Sequence, residues 1–202
     1  MKKFITIALA LCMALSATVC VSAAEINSDG GSGSTPVYLS STDDGTMDGE
    51  PSATAMSVTV PTALPMAMSQ TGDVTTADNC QIINHSYGAV RVKSVTISAE
   101  NGWRLTAFGD KSALASEKVD SDKLGFAIRI GGGEWAATDN TDASAQTLIS
   151  APVAGCYMSG AGNAANNAVS VDYSAIVTPL STAVTNANIA NVVFVVEWDT
   201  AA

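Results

Sequence analysis

The fold of this chain is decided by residues 89–98, which read AVRVKSVTIS. The first two valines alternate with basic residues, which is the period of a β-strand that buries one face. The next apolar pair, Val95 and Ile97, alternates too, but one residue out of phase. A β-bulge near Ser94 is therefore predicted, because one extra residue would return all four apolar side chains to a common face.

A turn follows this strand directly. Asn101-Gly102 is a strong hairpin sequence, since both central positions of a type I′ turn need a positive φ. Residues 103–108, WRLTAF, are then predicted to be the return strand of a hairpin, with Trp103 and Leu105 on one face.

The rest of the chain repeats this pattern of short apolar or alternating segments separated by Gly, Asn and Pro. Further strands are predicted over residues 56–60, 80–84, 124–130, 146–153, 169–177 and 191–198. The last contains an unbroken apolar run, Val192–Val196, which predicts a central strand covered on both faces. Residues 110–119 are a candidate for one short helix, with Leu114 and Val119 inward. The predicted fold is an all-β antiparallel β-sandwich, Greek-key or jelly-roll-like, with at most one short helix.

The N-terminal residues predict export. Two lysines precede an uncharged apolar stretch, and residues 22–24, SAA, supply the small residues of a cleavage site. Residues 1–24 are therefore predicted to be a secretory signal peptide. An uncleaved membrane anchor is the alternative, since the stretch is just long enough to span a bilayer. Residues 25–52 are predicted to be a flexible, acidic, Gly/Ser-rich leader, and residues 53–202 a single β-sandwich domain.

The charge balance narrows the function. The chain has 9 Lys+Arg against 19 Asp+Glu, a net charge of −10, and loss of the two signal-peptide lysines makes it −12. Phosphates would be repelled, so no nucleic-acid partner is expected. There is one histidine, His85, and no nucleophile elbow or phosphate loop. No catalytic residue is assigned and the protein is predicted not to be an enzyme; a glycosidase-like carboxylate pair such as Asp172 and Glu197 is the alternative.

The cysteines leave two possibilities open. Two of the four lie in the predicted signal peptide, so the exported chain keeps Cys80 and Cys156. In an oxidising compartment these two can form a disulfide, which would stabilise the fold by about 3–5 kcal/mol. The alternative is two separate thiols, one or both buried as small apolar residues.

No cofactor and no metal ligand is predicted. Calcium is the one ion left open, at two acidic loops, residues 43–50 and 139–142. Neither loop has the ligand order of an EF-hand, so the first is better explained as a solvated linker.

Several segments resemble secreted cell-surface proteins of Gram-positive Firmicutes. They are Val58-Thr59-Val60-Pro61, Leu64-Pro65, Gly72-Asp73-Val74, Ile82-Ile83-Asn84-His85-Ser86, Val90-Arg91-Val92 and Asn101-Gly102-Trp103-Arg104-Leu105. Residues 103–105, WRL, are similar to the Trp-x-Leu motif of WxL-type surface domains, and residues 196–199, VEWD, echo their second Trp motif loosely. The chain also resembles the TasA/camelysin group of exported β-sandwich fibre subunits. Either resemblance implies a cell-surface or extracellular-matrix role without catalysis.

Two functions are compatible with these observations. The first is a secreted structural or adhesive protein at the cell surface, whose partners are further copies of itself, in a fibre, or other surface proteins. Its own sheet, or that of a second copy, would take up the alternating strand that carries Met56, Val58 and Val60. The alternative is a carbohydrate-binding module for cell-wall or host glycans. Its candidate binding residues are the aromatic side chains Trp135, Tyr157 and Trp103. No membrane contact is expected after signal cleavage.

Overall fold

The computed structural model describes residues 55–139 and 142–200, so the predicted signal peptide and leader lie outside the described residues. The described part of the chain contains twelve strands and one turn of 3-10 helix. The strands are β1 (Val58–Thr59), β2 (Met66–Met68), β3 (Val74–Thr76), β4 (Gln81–Asn84), β5 (Val90–Ala99), β6 (Arg104–Thr106), β7 (Lys123–Ile130), β8 (Ala136–Ala137), β9 (Ala145–Ile149), β10 (Tyr157–Met158), β11 (Ala168–Val177) and β12 (Ala190–Trp198).

The strands form two sheets and a separate two-stranded hairpin. The first sheet has the order β1-β4-β11-β7-β6, with β8 also paired to β7. The second has the order β10-β5-β12, with β9 also paired to β5, and β2 pairs with β3. Every strand pair is antiparallel except β6 with β7. The predicted all-β antiparallel sandwich with at most one short helix is confirmed.

The predicted bulge in β5 is confirmed. Val195 of β12 pairs with Ser94, but the next residue, Val196, pairs with Val92. Lys93 is therefore the extra residue of β5, and the strand regains its phase beyond it. Val90, Val92, Val95 and Ile97 are all fully buried as a result.

The core lies between the two sheets. The buried side chains of β5 belong to one cluster with those of β7 and β11. Four residues of β7 face this core as the sequence pattern predicts: Leu124, Phe126, Ile128 and Ile130. The ring of Phe126 stacks on Tyr173 of β11 at a centroid distance of 6.1 Å. This contact joins the neighbouring strands β7 and β11 on the face that they turn to the core.

The predicted hairpin after β5 is wrong. Asn101 and Gly102 do form a turn, with φ of 51° and 90°, and the Trp103 N–H donates to the Glu100 carbonyl. However, β6 leaves the second sheet and pairs in parallel with β7 of the first. The reason is that the end of β5 already has a partner on each edge, since β12 pairs with it at Ala99 and β9 at Ser98.

The short helix is reduced to one turn of 3-10 helix, Lys111–Leu114. Asp110 caps it, because its carboxylate accepts a hydrogen bond from the Ser112 N–H. Leu114 is buried as predicted, whereas Val119 is 53% exposed and the prediction that it points inward is wrong.

The loops that follow β7 and β9 touch through their backbones at two glycines. Gly131 has a φ of +56° and Gly155 a φ of +92°. A β-carbon at Gly131 would lie 2.3 Å from the carbonyl oxygen of Gly155, so no larger residue fits without movement of the backbone. This contact fixes the two loops against each other at one end of β7.

We expect Gly131→Ala to destabilise the protein by about 3 kcal/mol, because it adds a backbone clash to the cost of a positive φ. The matched control is Gly132→Ala, which has a φ of +74° but open space around its β-carbon. We expect this control to lower the free energy of unfolding by only about 1 kcal/mol, which is the cost of placing alanine in the left-handed conformation. Urea denaturation of both variants measures the difference, and equal losses of stability would show that the glycine contact is not needed.

Candidate functional site

The most distinctive surface of the described structure is β12, whose sequence is ANVVFVVEW. Its prediction as a central, doubly covered strand is wrong, because β12 is the last strand of the second sheet. Val193 is 53% exposed and Val195 is 42% exposed, and both face outward. The apolar run therefore covers the core with one face and presents valine to solvent with the other.

The inward side chains of β12 are incompletely covered. Val192, Phe194 and Val196 are only half-buried, although the apolar residues opposite them on β5 are fully buried. An edge strand has a neighbour on one side only, so its inward residues keep one open flank. Within residues 55–139 and 142–200, no strand pairs with the outer edge of β12. We call this strand with its unpaired backbone the β12 edge.

One end of the β12 edge carries an ion-pair cluster. Arg91 Nε and Lys93 Nζ each lie 2.9 Å from a carboxylate oxygen of Glu197. An Arg91 guanidinium nitrogen also lies 3.4 Å from Asp199 Oδ1. The hydrogen bonds from Lys93 and Arg91 lower the pKa of the Glu197 carboxyl, and the bond to Glu197 raises the pKa of Arg91. The carboxylate that ends the apolar run is thus matched by two cations of β5.

The second candidate surface is built around Trp135, which follows the glycine loop after β7. The guanidinium carbon of Arg129 lies 4.9 Å from the centroid of the Trp135 ring, in cation–π geometry. Two nitrogens of Arg129 contact Asp172 Oδ2 of β11, at 3.1 and 2.9 Å. The ring is 48% exposed and borders a cleft of about 220 Å³ that is also lined by Glu134, Ser150 and Val153. A held, half-exposed indole is suited to stacking against a ligand ring.

Tyr157 borders a different cleft from Trp135. It is 48% exposed and borders a separate cleft of about 350 Å³, together with Gly131, Gly155, Asn166 and Ser170. Both glycines of the Gly131–Gly155 contact line this cleft, and neither lines the cleft beside Trp135. The structure therefore places Trp135 and Tyr157 near one loop junction, but in different clefts.

Trp103 does not join these two aromatic residues. It is half-buried and packs against the core, as Trp198 does. It directly precedes β6, which pairs with the beginning of β7, whereas Trp135 follows the end of β7. Of the three predicted binding aromatics, two are exposed and one serves packing.

The two cysteines of the predicted exported chain are free thiols. Cys156 is fully buried and its carbonyl accepts a hydrogen bond from Val92 of the second sheet. The Cys80 carbonyl accepts one from Val171 of the first sheet. Of the two possibilities left open by the sequence, the structure shows the separate thiols, one beside each sheet, with no disulfide between Cys80 and Cys156.

The predicted donated strand lies in its own sheet. Val58 pairs with Asn84 and Thr59 with Ile83, so β1 is an edge strand of the first sheet. Met56 and Val60, which flank it, are 39% and 41% exposed, and Val58 is half-buried. The segment makes a limited contribution to the core.

The residues weighed for catalysis are occupied by other contacts. His85 Nε2 lies 2.7 Å from the Thr59 hydroxyl. Asp172 bonds to Arg129 and Glu197 bonds to Arg91, so each carboxylate has its own cation, on a different sheet. Each of these two carboxylates is therefore engaged with a cation of a neighbouring strand.

Among the described residues, no group of three or more His, Cys, Asp or Glu side chains could hold a metal ion. The 43–50 loop lies outside these residues, and the 139–142 loop is described only at its two ends. The helices of the described part include none long and apolar enough to cross a bilayer.

The β12 edge was missed by sequence reasoning because Val193 and Val195 are the same residue type as their inward neighbours. A weaker indication was present. Arg91, Lys93 and Glu197 are charges of opposite sign at the polar positions of two apolar strands, which favours direct pairing of β5 with β12.

We expect Glu197→Gln to lower the free energy of unfolding at neutral pH and to have little effect in acid. The Glu197 pKa is depressed in the folded state, so its contribution is complete above the ordinary value of about 4.3. It is lost as the pH falls through the depressed value. Urea denaturation at a series of pH values measures this. Glu134→Gln is the control, since Glu134 makes no ion pair in the described structure. A pH-independent effect at Glu197 would contradict the ion-pair explanation.

Comparison with known proteins gives no relative on which to base a function. No protein-family model, no curated protein and no solved structure matches this chain. A function must therefore be inferred from the surfaces of the described residues. The β12 edge and the Trp135 cleft are the two surfaces from which we infer one.

Proposed function

We propose that this protein is a non-catalytic, secreted bacterial protein of the cell surface or extracellular matrix, with a structural or adhesive role that depends on self-association. The observation that carries the proposal is the β12 edge. It is a strand of nine residues with two outward valines, and no strand among the described residues pairs with its outer edge. Such an edge is a template for the addition of another strand.

The β12 edge lacks the usual protection against strand addition. Edge strands of monomeric proteins are commonly short, or carry lysine, proline or an inward charge. The Val192–Val196 run has none of these, and its one neighbouring acid, Glu197, is paired with cations of β5. The other edge strands of the two sheets, β1, β6, β8, β9 and β10, have two to five residues each. The length and the apolar character of β12 therefore favour a role in contact.

The extracellular part of the proposal rests on the sequence. The predicted signal peptide over residues 1–24 directs export, and the net charge of −10 suits a protein exposed to the medium. The resemblance to surface and matrix proteins of Gram-positive bacteria also supports an extracellular location. Immunodetection in fractionated cultures tests it, and retention of the protein inside the cells would contradict it.

Carbohydrate binding is the second candidate, and the Trp135 cleft favours it. Arg129 lies against the Trp135 ring and is itself bound by Asp172, so the indole is held in place while about half of it stays exposed. An aromatic platform beside polar groups is a common way to bind a sugar ring. Glu134 and Ser150 line the same cleft and supply such groups.

We expect the purified protein to associate reversibly as its concentration rises, and the Val193→Lys/Val195→Lys variant to remain monomeric. Both valines face solvent, so the lysines are tolerated in the monomer but would place unpaired charge at the strand junction. The loss should raise the dissociation constant by about tenfold or more, equivalent to 1.4 kcal/mol. Sedimentation velocity measures the association, and electron microscopy shows whether larger assemblies form.

The control for this experiment is Val119→Lys/Val184→Lys, which alters two exposed valines outside any strand. It should associate like the parent chain. If the parent chain is monomeric at every concentration, self-association is excluded and the proposal falls.

We expect Trp135→Ala to abolish any binding to glycans, whereas Tyr87→Ala should leave it unchanged. Tyr87 is 90% exposed and does not line the Trp135 cleft, so it controls for the loss of a surface aromatic residue. A glycan array with cell-wall and mucin-type oligosaccharides identifies ligands, and calorimetry compares the variants. A parent chain that binds no glycan would exclude this second candidate.

A further inference from the structure

We infer that the partner of the β12 edge is the β12 edge of a second copy, paired antiparallel about Phe194, which joins the two second sheets into one continuous sheet. This inference rests on the proposed self-association and specifies its geometry. The described residues show a free edge, and the sequence of β12 is suited to pairing with itself.

The register follows from the pleat. Residues directly opposite each other in a sheet share a face, so an outward residue must meet an outward residue. In a symmetric antiparallel pair, this is possible only if one residue lies directly opposite the same residue of the second copy. The two-fold axis then lies midway between those two residues. Phe194 is the middle residue of Ala190–Trp198, so an axis there pairs the whole strand, whereas any other axis leaves residues of β12 unpaired.

The side chains that meet in this register are compatible. On the outer face, Val193 of one copy lies opposite Val195 of the other, which forms a continuous patch of four valines. On the inner face, Phe194 meets its own symmetry mate beside the half-buried valines at 192 and 196. Apolar cross-strand pairs of this kind stabilise a sheet, and the second copy covers the open flank of the core.

The charges also match. Glu197 lies opposite Asn191 of the second copy, and never opposite a carboxylate. The Asn191 side-chain amide already donates a hydrogen bond to Glu100 Oε1 at 2.8 Å, and an amide has a second N–H that can donate to the Glu197 carboxylate of the second copy. Because Arg91 and Lys93 already bind Glu197, this carboxylate reaches the junction with its charge paired.

The other candidate strand of this chain is already engaged. In the β1 segment, the Ser57 carbonyl accepts a hydrogen bond from the His85 N–H at 2.8 Å. The Ser57 N–H donates to the Ser86 hydroxyl, also at 2.8 Å. Donation of residues 56–60 to β12 would break these bonds together with the pairing to β4, whereas pairing of two β12 strands breaks none. The symmetric pair also closes, since each copy covers the free edge of the other.

The test uses cysteine pairs at the outward positions. Directly opposite residues have Cα atoms about 4.5–5.5 Å apart, which a disulfide can join. Same-numbered residues are diagonal in this register, about 7–8 Å apart, which is too far. Val193→Cys and Val195→Cys are prepared as separate full-length variants, one with an affinity tag so that mixed dimers can be recognised. Each is oxidised alone and in a mixture, with the parent chain as the background control, and its unfolding midpoint is compared with that of the parent.

We expect mixed dimers to exceed either homodimer severalfold. Predominant Val193→Cys homodimers, or predominant Val195→Cys homodimers, would place the axis on that residue and overturn the register. Parent chains that sediment as dimers while no variant cross-links would overturn β12 pairing but leave self-association standing. Parent chains that stay monomeric would overturn both this inference and the proposed function.

Hydrogen exchange tests the same pairing without any substitution. We expect the β12 amides to exchange more slowly in the concentrated parent chain, and the absence of this slowing would overturn the inference.

Discussion

The rest of the structure depends on the hydrogen bonding of β5 along both of its edges. One edge pairs with β12 over its full length, and the other is shared by β9 and β10. The bulge at Lys93 lets this strand keep all its apolar side chains in the core despite the change of phase in its sequence. β5 is thereby the central strand of the second sheet. Any further strand must pair elsewhere, because both edges of β5 are occupied.

Two consequences follow from this arrangement. A return strand cannot pair with β5 beyond the Asn101-Gly102 turn, because both edges are occupied there, so β6 crosses to the first sheet and pairs with β7. β12, having β5 on one side, has no described strand on the other. This long and largely apolar strand thus lies at an edge of the described sheet, where its outward valines and its outer backbone edge are available for contact.

Sequence reasoning predicted the features that depend on neighbouring residues. The alternation in β5 and the four inward residues of β7 follow from the two-residue period of a strand, and so did the bulge near Ser94. The position of β12 at the edge of its sheet could not be predicted in this way. An apolar run indicates that a strand is hydrophobic, but it does not indicate whether the strand is central or at an edge. The same limit applies to the Asn101-Gly102 turn, whose local geometry was predicted correctly although its hairpin was not. Edge occupancy depends on residues far away along the chain.

Trp135 shows a similar division between local and distant information. The sequence identified it as a candidate binding aromatic residue, and it is half-exposed. Its support by Arg129 and Asp172 requires the pairing of β7 with β11, a relation between segments some forty residues apart that the sequence pattern did not reveal. Trp103 has an equally local resemblance to a surface motif, yet it packs against the core.

The bulge in β5 links the core to the surface chemistry. Lys93 is the residue that the bulge adds, and its ammonium group binds Glu197 on the neighbouring strand. Two copies of a chain with a net charge of −10 repel each other over a distance set by the ionic strength. Close approach is therefore most favourable where the acids are already paired with cations, and the β12 edge ends in such a cluster. The same extra residue that keeps the core in phase thus helps to neutralise the surface on which self-association is proposed to depend.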